Sequence, residues 1–133
     1  MATSSGGGVG DVVSYKAAHD LSSNQFHFVR ISAANTVGSS TVSGTAICSI
    51  LQGNPASAGL GADVSLVGGV SKLEMGGTCT AGDMIVAGTN GKGVIADAGT
   101  TVFVNAIANE AASASGDIIS VNTVAFYNTS GVK

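Results

Sequence analysis

Charge is what this chain has least of. Only 10% of its 133 residues are charged, against roughly a quarter in an ordinary soluble domain. Five Lys and Arg face eight Asp and Glu, for a formal net charge of −3. A nucleic-acid binder needs a basic stripe to neutralise phosphates, and five scattered cations supply none. Aromatics make up 5%, and tryptophan is absent. Core volume must therefore come from many small branched side chains, each worth about 1.5–3 kcal/mol when buried. Such a domain gains from burying further area against a partner. No apolar run approaches the roughly 20 residues of a membrane-spanning helix. The start, Met1–Gly10, has neither a basic stretch nor an apolar one, so no signal peptide is expected. The two cysteines, Cys48 and Cys79, are far apart and form no CxxC. They read as buried thiols rather than as a metal or redox motif.

What the chain does have is glycine, 20 residues against a single proline. Glycine recurs between short apolar runs, the grammar of many short strands joined by tight turns. The runs are Asp11–Ala17, Phe26–Ser32, Thr45–Leu51, Asp63–Val67, Val70–Met75, Asp83–Ala87, Gly93–Ala96, Thr101–Ala108 and Asp117–Phe126. Val, Ile, Thr and Phe dominate them, and these suit a pleated, half-buried surface. The expected fold is mostly β: a small single domain of many short strands with tight Gly-rich turns and at most one short helix. Residues 1–9 read as a flexible arm, 10–126 as the folded domain and 127–133 as a tail. The Ser/Thr/Gly/Asn run Ala33–Ser43 reads as a mobile loop. Asn105–Ser115 alone has helical propensity; it reads as a strand to about Asn109, then a loop or one helical turn.

A local unit recurs: Gly10-Asp11-Val12-Val13, Gly82-Asp83-Met84-Ile85 and Gly116-Asp117-Ile118-Ile119, with Gly61-Ala62-Asp63-Val64 a looser copy. Glycine supplies a positive φ and aspartate hydrogen-bonds nearby backbone, so the pair launches a strand from a turn. The spacing lacks the alternating acidic ligands of a calcium loop. In Met84–Ala96, Asn90-Gly91 marks a hairpin turn. A phosphate loop would need a glycine five residues before Gly91-Lys92 and a Ser or Thr after it. Those positions hold Val86 and Gly93.

The catalytic inventory is thin. His27 lies between Phe26 and Phe28 in an expected strand, and His19 lies in a turn beside Asp20. A His19–Asp20 pair with a distant serine is the one triad the sequence leaves open. No serine occupies a Gly-x-Ser-x-Gly elbow, and structural histidines are expected. The aromatic residues Phe26, Phe28, Phe103, Phe126, Tyr15 and Tyr127 fall mostly within strand patterns. They therefore offer no aromatic platform for a carbohydrate- or ligand-binding β module, which stays a competing reading. No catalytic, cofactor-binding or metal residues are expected.

Taken in order, the segments form a pattern. Gly10-Asp11-Val12-Val13-Ser14-Tyr15-Lys16-Ala17 is followed by Phe26-His27-Phe28-Val29-Arg30-Ile31. Then come Gly44–Ala56, Ala62-Asp63-Val64-Ser65-Leu66, Gly69–Glu74, Thr80-Ala81-Gly82-Asp83 and Gly91-Lys92-Gly93-Val94. Ala106-Ile107-Ala108 and Ser115–Val121 complete the series. This succession resembles the head decoration (cement) proteins of tailed bacteriophages, over Gly10 to about Val124. The resemblance implies a small β-barrel or β-sandwich-like domain, a non-enzymatic virion protein made in the host cytoplasm, that binds the outside of the assembled capsid. Its partners would be the major capsid protein and itself, often as a homotrimer at a local three-fold axis, with no nucleic acid or membrane. A head-fibre base is the nearest alternative role. The family offers no catalytic residues to carry over. The polar insertion at Val37–Ser43 and the tail Tyr127–Lys133 depart from many relatives. The arm is too polar to fold alone, so Thr3, Ser4, Ser5, Gly6, Gly7, Gly8 and Val9 are the expected capsid contacts, ordering on the shell by strand addition.

Overall fold

A computed structural model describes residues 12–40, 49–65, 67–88, 90–96 and 102–128. Among the described residues there are ten strands and no helix. The first five are β1 (Val12–Ala17), β2 (Phe28–Ala33), β3 (Thr36–Ser39), β4 (Ser49–Leu51) and β5 (Gly61–Ser65). They close into a barrel in the order β1-β3-β2-β4-β5. β1 runs antiparallel to β5 from Val12↔Ser65 to Lys16↔Gly61. On its other side it meets β3 in parallel, at Lys16↔Thr36 and Ala17↔Val37. Alternation along each strand turns the apolar set inward. Ala17, Val29, Val37, Leu51, Ala62 and Val64 pack there, with Tyr15 against them. Leu21, from the β1–β2 loop, joins this core and is fully buried.

The other five strands are β6 (Val70–Glu74), β7 (Met84–Ala87), β8 (Gly93–Ile95), β9 (Val102–Ala108) and β10 (Ile118–Asn128). They form a sheet in the order β6-β10-β9-β7-β8. The sheet curls until its two margins meet: Met75, just past β6, bridges Gly93 in parallel, and Gly76 N–H donates to Gly93 O at 2.7 Å. Leu73, Met75, Ile85, Ala87, Ala106, Ala108, Ile119 and Val121 fill the concave side. Phe28 and Ile50 of the barrel pack into this same cluster, so the two halves share a core.

The Gly-Asp units do what their chemistry suggests. Gly82 and Gly116 adopt φ of 92° and 98° in turns closed by Asp83 N–H to Thr80 O and Asp117 N–H to Ala114 O, both 3.2 Å. That is the third position of a type II turn, where L side chains are disfavoured. Each carboxylate then ties down its own turn. Asp83 Oδ2 accepts from Thr80 N–H at 2.9 Å, and Asp117 Oδ2 from Ser113 N–H at 2.8 Å. The Gly10-Asp11 copy lies outside the described residues. Gly61 simply opens β5.

Three expectations need correction. Ala33–Ser43 is not a loop throughout. Ala33 ends β2, Asn35 takes φ 54° at the turn, and Thr36–Ser39 is a buried-centred strand. His27 precedes β2 instead of lying in it. After β9 the chain takes the expected loop with no helical turn, Ala112 spending its N–H and C=O on Cys79, both at 3.1 Å. β10 also runs to Asn128, two residues into the stretch read as a tail. The described cysteine, Cys79, is buried and free, as expected; Cys48 lies outside the described residues.

Gly93 is the tightest point of the second core. A Cβ there would lie 2.7 Å from Leu73 Cδ2 and 2.9 Å from both Ile85 Cγ2 and Met75 Sδ. Gly93→Ala is expected to destabilise the fold by about 1–3 kcal/mol through overpacking. Urea unfolding measures this as a lower midpoint at unchanged slope.

Candidate functional site

The capsid-contact residues expected from the sequence, Thr3, Ser4, Ser5, Gly6, Gly7, Gly8 and Val9, lie outside the described residues. What the fold brings together is different.

His19 does meet a serine. Its Nε2 stands 3.5 Å from Ser39 Oγ, while Nδ1 faces the Asp20 main-chain oxygen at 3.0 Å. The Asp20 carboxylate is turned to Ser22, accepting from its N–H at 2.9 Å and its hydroxyl at 2.7 Å. Those bonds hold the Asp20 carboxyl below its ordinary range. A triad needs the carboxylate on the imidazole to orient it and stabilise its charge. Here the carboxylate is engaged elsewhere, and His19 and Asp20 are solvent-exposed.

His27 has a different setting. It is 7% exposed, with Nε2 3.1 Å from Glu74 Oε1. Lys92 Nζ reaches the other oxygen, Oε2, also at 3.1 Å. Glu74 thus links the barrel to both β6 and the β7–β8 hairpin. His27 Nδ1 is buried without a partner, so the ring faces the carboxylate with one nitrogen and apolar surroundings with the other. Burial works to raise the Glu74 pKa. The hydrogen bonds from Lys92 and His27 outweigh it and hold the carboxyl below its ordinary 4.5. The arrangement is a clasp at a joint, and its open positions are few.

Two surfaces remain open. The first is the mouth of the barrel at the end where β1 begins, a cavity of about 370 Å³ lined by Tyr15, Val29, Arg30, Ile31, Val37, Ser49 and Val64. Ile31 is an inward position by alternation with Val29 and register with Val37, yet it is 63% exposed. The second is apolar. Val12 pairs with Ser65, two residues before Val67 in the β5–β6 turn. Gly68 and Gly69 of that turn donate to Thr123 at 2.8 and 3.0 Å. Val70 pairs with Asn122, and Phe126 lies three residues past Thr123. The β5–β6 turn thus brings Val12, Val67 and Val70 near one another, exposed by 50, 55 and 44%, while Phe126, 41% exposed, lies farther along β10 beside Val104 of β9. Sequence reading took Val12, Val67, Val70 and Phe126 as ordinary strand residues. Only the pairing of β1 with β5 and of β6 with β10 reveals the proximity of the three valines.

No protein family matches this chain, and no curated protein matches it either.

The clasp yields a pH test. Because folding depresses the Glu74 pKa, its contribution is present above 4.5 and fades as pH falls through the folded value. Glu74→Gln is expected to cost about 1–2 kcal/mol near neutrality, a charge-assisted bond discounted for partial exposure. In urea unfolding the gap between wild type and variant should close towards about pH 3. A gap that ignores pH would show that the charge of Glu74 does not carry the clasp.

Proposed function

We propose that this chain is a structural, non-enzymatic virion protein that binds the outer surface of an assembled phage capsid and stabilises it where capsomers meet. One observation carries the reading: Val12, Val67 and Val70, each more than two-fifths exposed, border the β5–β6 turn, on a body with few charges. Large exposed apolar patches on compact proteins mark interaction sites. Depletion of charge is the compositional sign of an interface core.

The body itself suits the role. A closed barrel leaves no free sheet edge to aggregate, and the curled second sheet meets its own margin through Gly93. A protein that binds only the assembled lattice stabilises it by mass action. A subunit touching several capsid proteins at once gains effective concentration, so weak contacts add. Copies would meet as a homotrimer on the shell, with the major capsid protein as the other partner.

Co-sedimentation with heads stripped of this protein is the direct test. Saturable pelleting at a fixed copy ratio, with raised resistance of the heads to heat, is the expected result. Val67→Asp and Val70→Asp are surface changes that should leave the fold intact. Each should weaken pelleting by about tenfold or more, the scale of one lost buried valine. Absence of pelleting at any salt concentration would remove decoration and leave the small ligand-binding module as the reading to pursue.

A further inference from the structure

The tip of the β7–β8 hairpin carries a pair of residues able to react with each other. The main-chain nitrogen that follows an asparagine can close a five-membered ring on the side-chain Cγ. Such an intramolecular attack needs no second molecule to be brought into place. A side chain on the following residue would crowd the approach, and Gly91 has none. Asn90 is exposed, so no packing holds its amide away from the main chain.

The hairpin supplies what the ring closure needs. Lys92 N–H donates to Asn90 Oδ1 at 3.1 Å. That oxygen takes up negative charge as Cγ becomes tetrahedral, so the donor already stands where charge develops. The same bond spans Gly91 and folds the Asn90 side chain back towards the peptide whose nitrogen must attack. One contact opposes the reaction: Gly91 N–H donates to Gly88 O at 3.1 Å, a single neutral hydrogen bond. On its other side Gly91 is seated tightly. Its carbonyl accepts from Phe28 N–H at 2.7 Å, and a Cβ on it would stand 2.9 Å from Phe28 O.

We propose that Asn90-Gly91 is a self-modification site, whose product loosens the joint between the barrel and the second sheet. Gly91 N gives its proton to hydroxide and attacks Asn90 Cγ, forming a C–N bond. The side-chain nitrogen then leaves as ammonia, and a cyclic imide remains. Water opens the imide at either carbonyl. Opening at Cγ gives aspartate; opening at the main-chain carbonyl gives isoaspartate. The balance is one water consumed and one ammonia released, with no oxidant or reductant. Isoaspartate routes the main chain through its Cβ and so inserts an extra carbon ahead of Gly91. The close seat of Gly91 against Phe28 leaves no slack for that carbon. This inference is independent of the capsid reading.

The test holds the full chain at mildly alkaline pH, native or unfolded in urea, and samples it over days. Peptide mass spectrometry reads the exchange of the Asn90 amide for an acid. An isoaspartyl methyltransferase with labelled S-adenosylmethionine counts the isoaspartyl product in the same peptide. Native Asn90 is expected to convert at least as fast as in the unfolded chain, and faster as pH rises. Asn90→Ser keeps a side-chain oxygen for Lys92 N–H but carries no amide, so this peptide should show neither signal. The isoaspartyl fraction, separated by anion exchange, should unfold at a lower urea midpoint than the starting protein. Freshly made Asn90→Asp has the same charge without the added carbon and should unfold with the wild type. An amide still intact in the native chain after the unfolded chain has converted would overturn the proposal, because the Gly88 contact would then lock the site. An isoaspartyl fraction as stable as the wild type would overturn the loosening of the joint.

Discussion

Among the described residues, two backbone hydrogen bonds join the halves of this molecule, and both pass through three consecutive residues. Phe28 N–H donates to Gly91 O at 2.7 Å, and Glu74 N–H donates to Phe26 O at 2.8 Å. Between them His27 contacts the Glu74 carboxylate, and Phe28 enters the second core. The hairpin must come very close for this. A Cβ on Gly91 would stand 2.9 Å from Phe28 O, so any side chain there would push the halves apart. Phe26 accepts a left-handed φ of 65° at the same place, a conformation that costs an aromatic residue of order 1–3 kcal/mol and persists only where neighbours impose it. The neighbours are evident: its N–H is held by Leu51 O at 2.7 Å while its C=O serves β6.

Small residues make the rest of the packing workable. With few aromatics, the second core relies on Ala87, Ala106 and Ala108 facing Leu73, Ile85 and Met75. Strands carrying alanine can sit close, and Gly93 takes the closest approach of all. A buried polar seam, Ser65 Oγ to Ser71 Oγ at 3.1 Å and Gln52 Nε2 to Ser71 Oγ at 2.7 Å, completes the contact between the barrel and β6. These hydroxyls and amides satisfy one another, which is what makes their burial tolerable.

Much of the fold was legible in the chain, because strand composition and turn chemistry are local. Asn90-Gly91 and the two Gly-Asp turns announced their hairpin and strand starts, and nine of the strands fall within or across runs marked by their Val and Ile content. β3 was hidden because Val37 is its one branched apolar residue, and its neighbours Gly38 and Ser39 read as loop residues. Barrel closure was not legible at all, since nothing local marks Val12 as the partner of Ser65. The same holds for the functional surfaces. The cavity around Ile31 and the apolar surface around Val67 are each assembled from strands distant in sequence, whereas sequence reasoning could only point to a contiguous stretch, Thr3–Val9.

The order of strands has a kinetic consequence. Every strand of the barrel falls between Val12 and Ser65, and every strand of the second sheet between Val70 and Asn128. Yet the last pairing that closes the barrel joins β1 to β5 across the whole first half, and β6 waits for β10. Loop-closure entropy must be met before such distant pairings bring any return, which places folding in the millisecond-to-second class of all-β domains. On a ribosome the barrel strands emerge complete before β6 exists, but Phe28 and Ile50 would still face water. The nascent first half therefore carries an apolar face that only the second half covers, and the chain's exposure to misassembly is greatest in the interval between synthesis of Ser65 and arrival of β10.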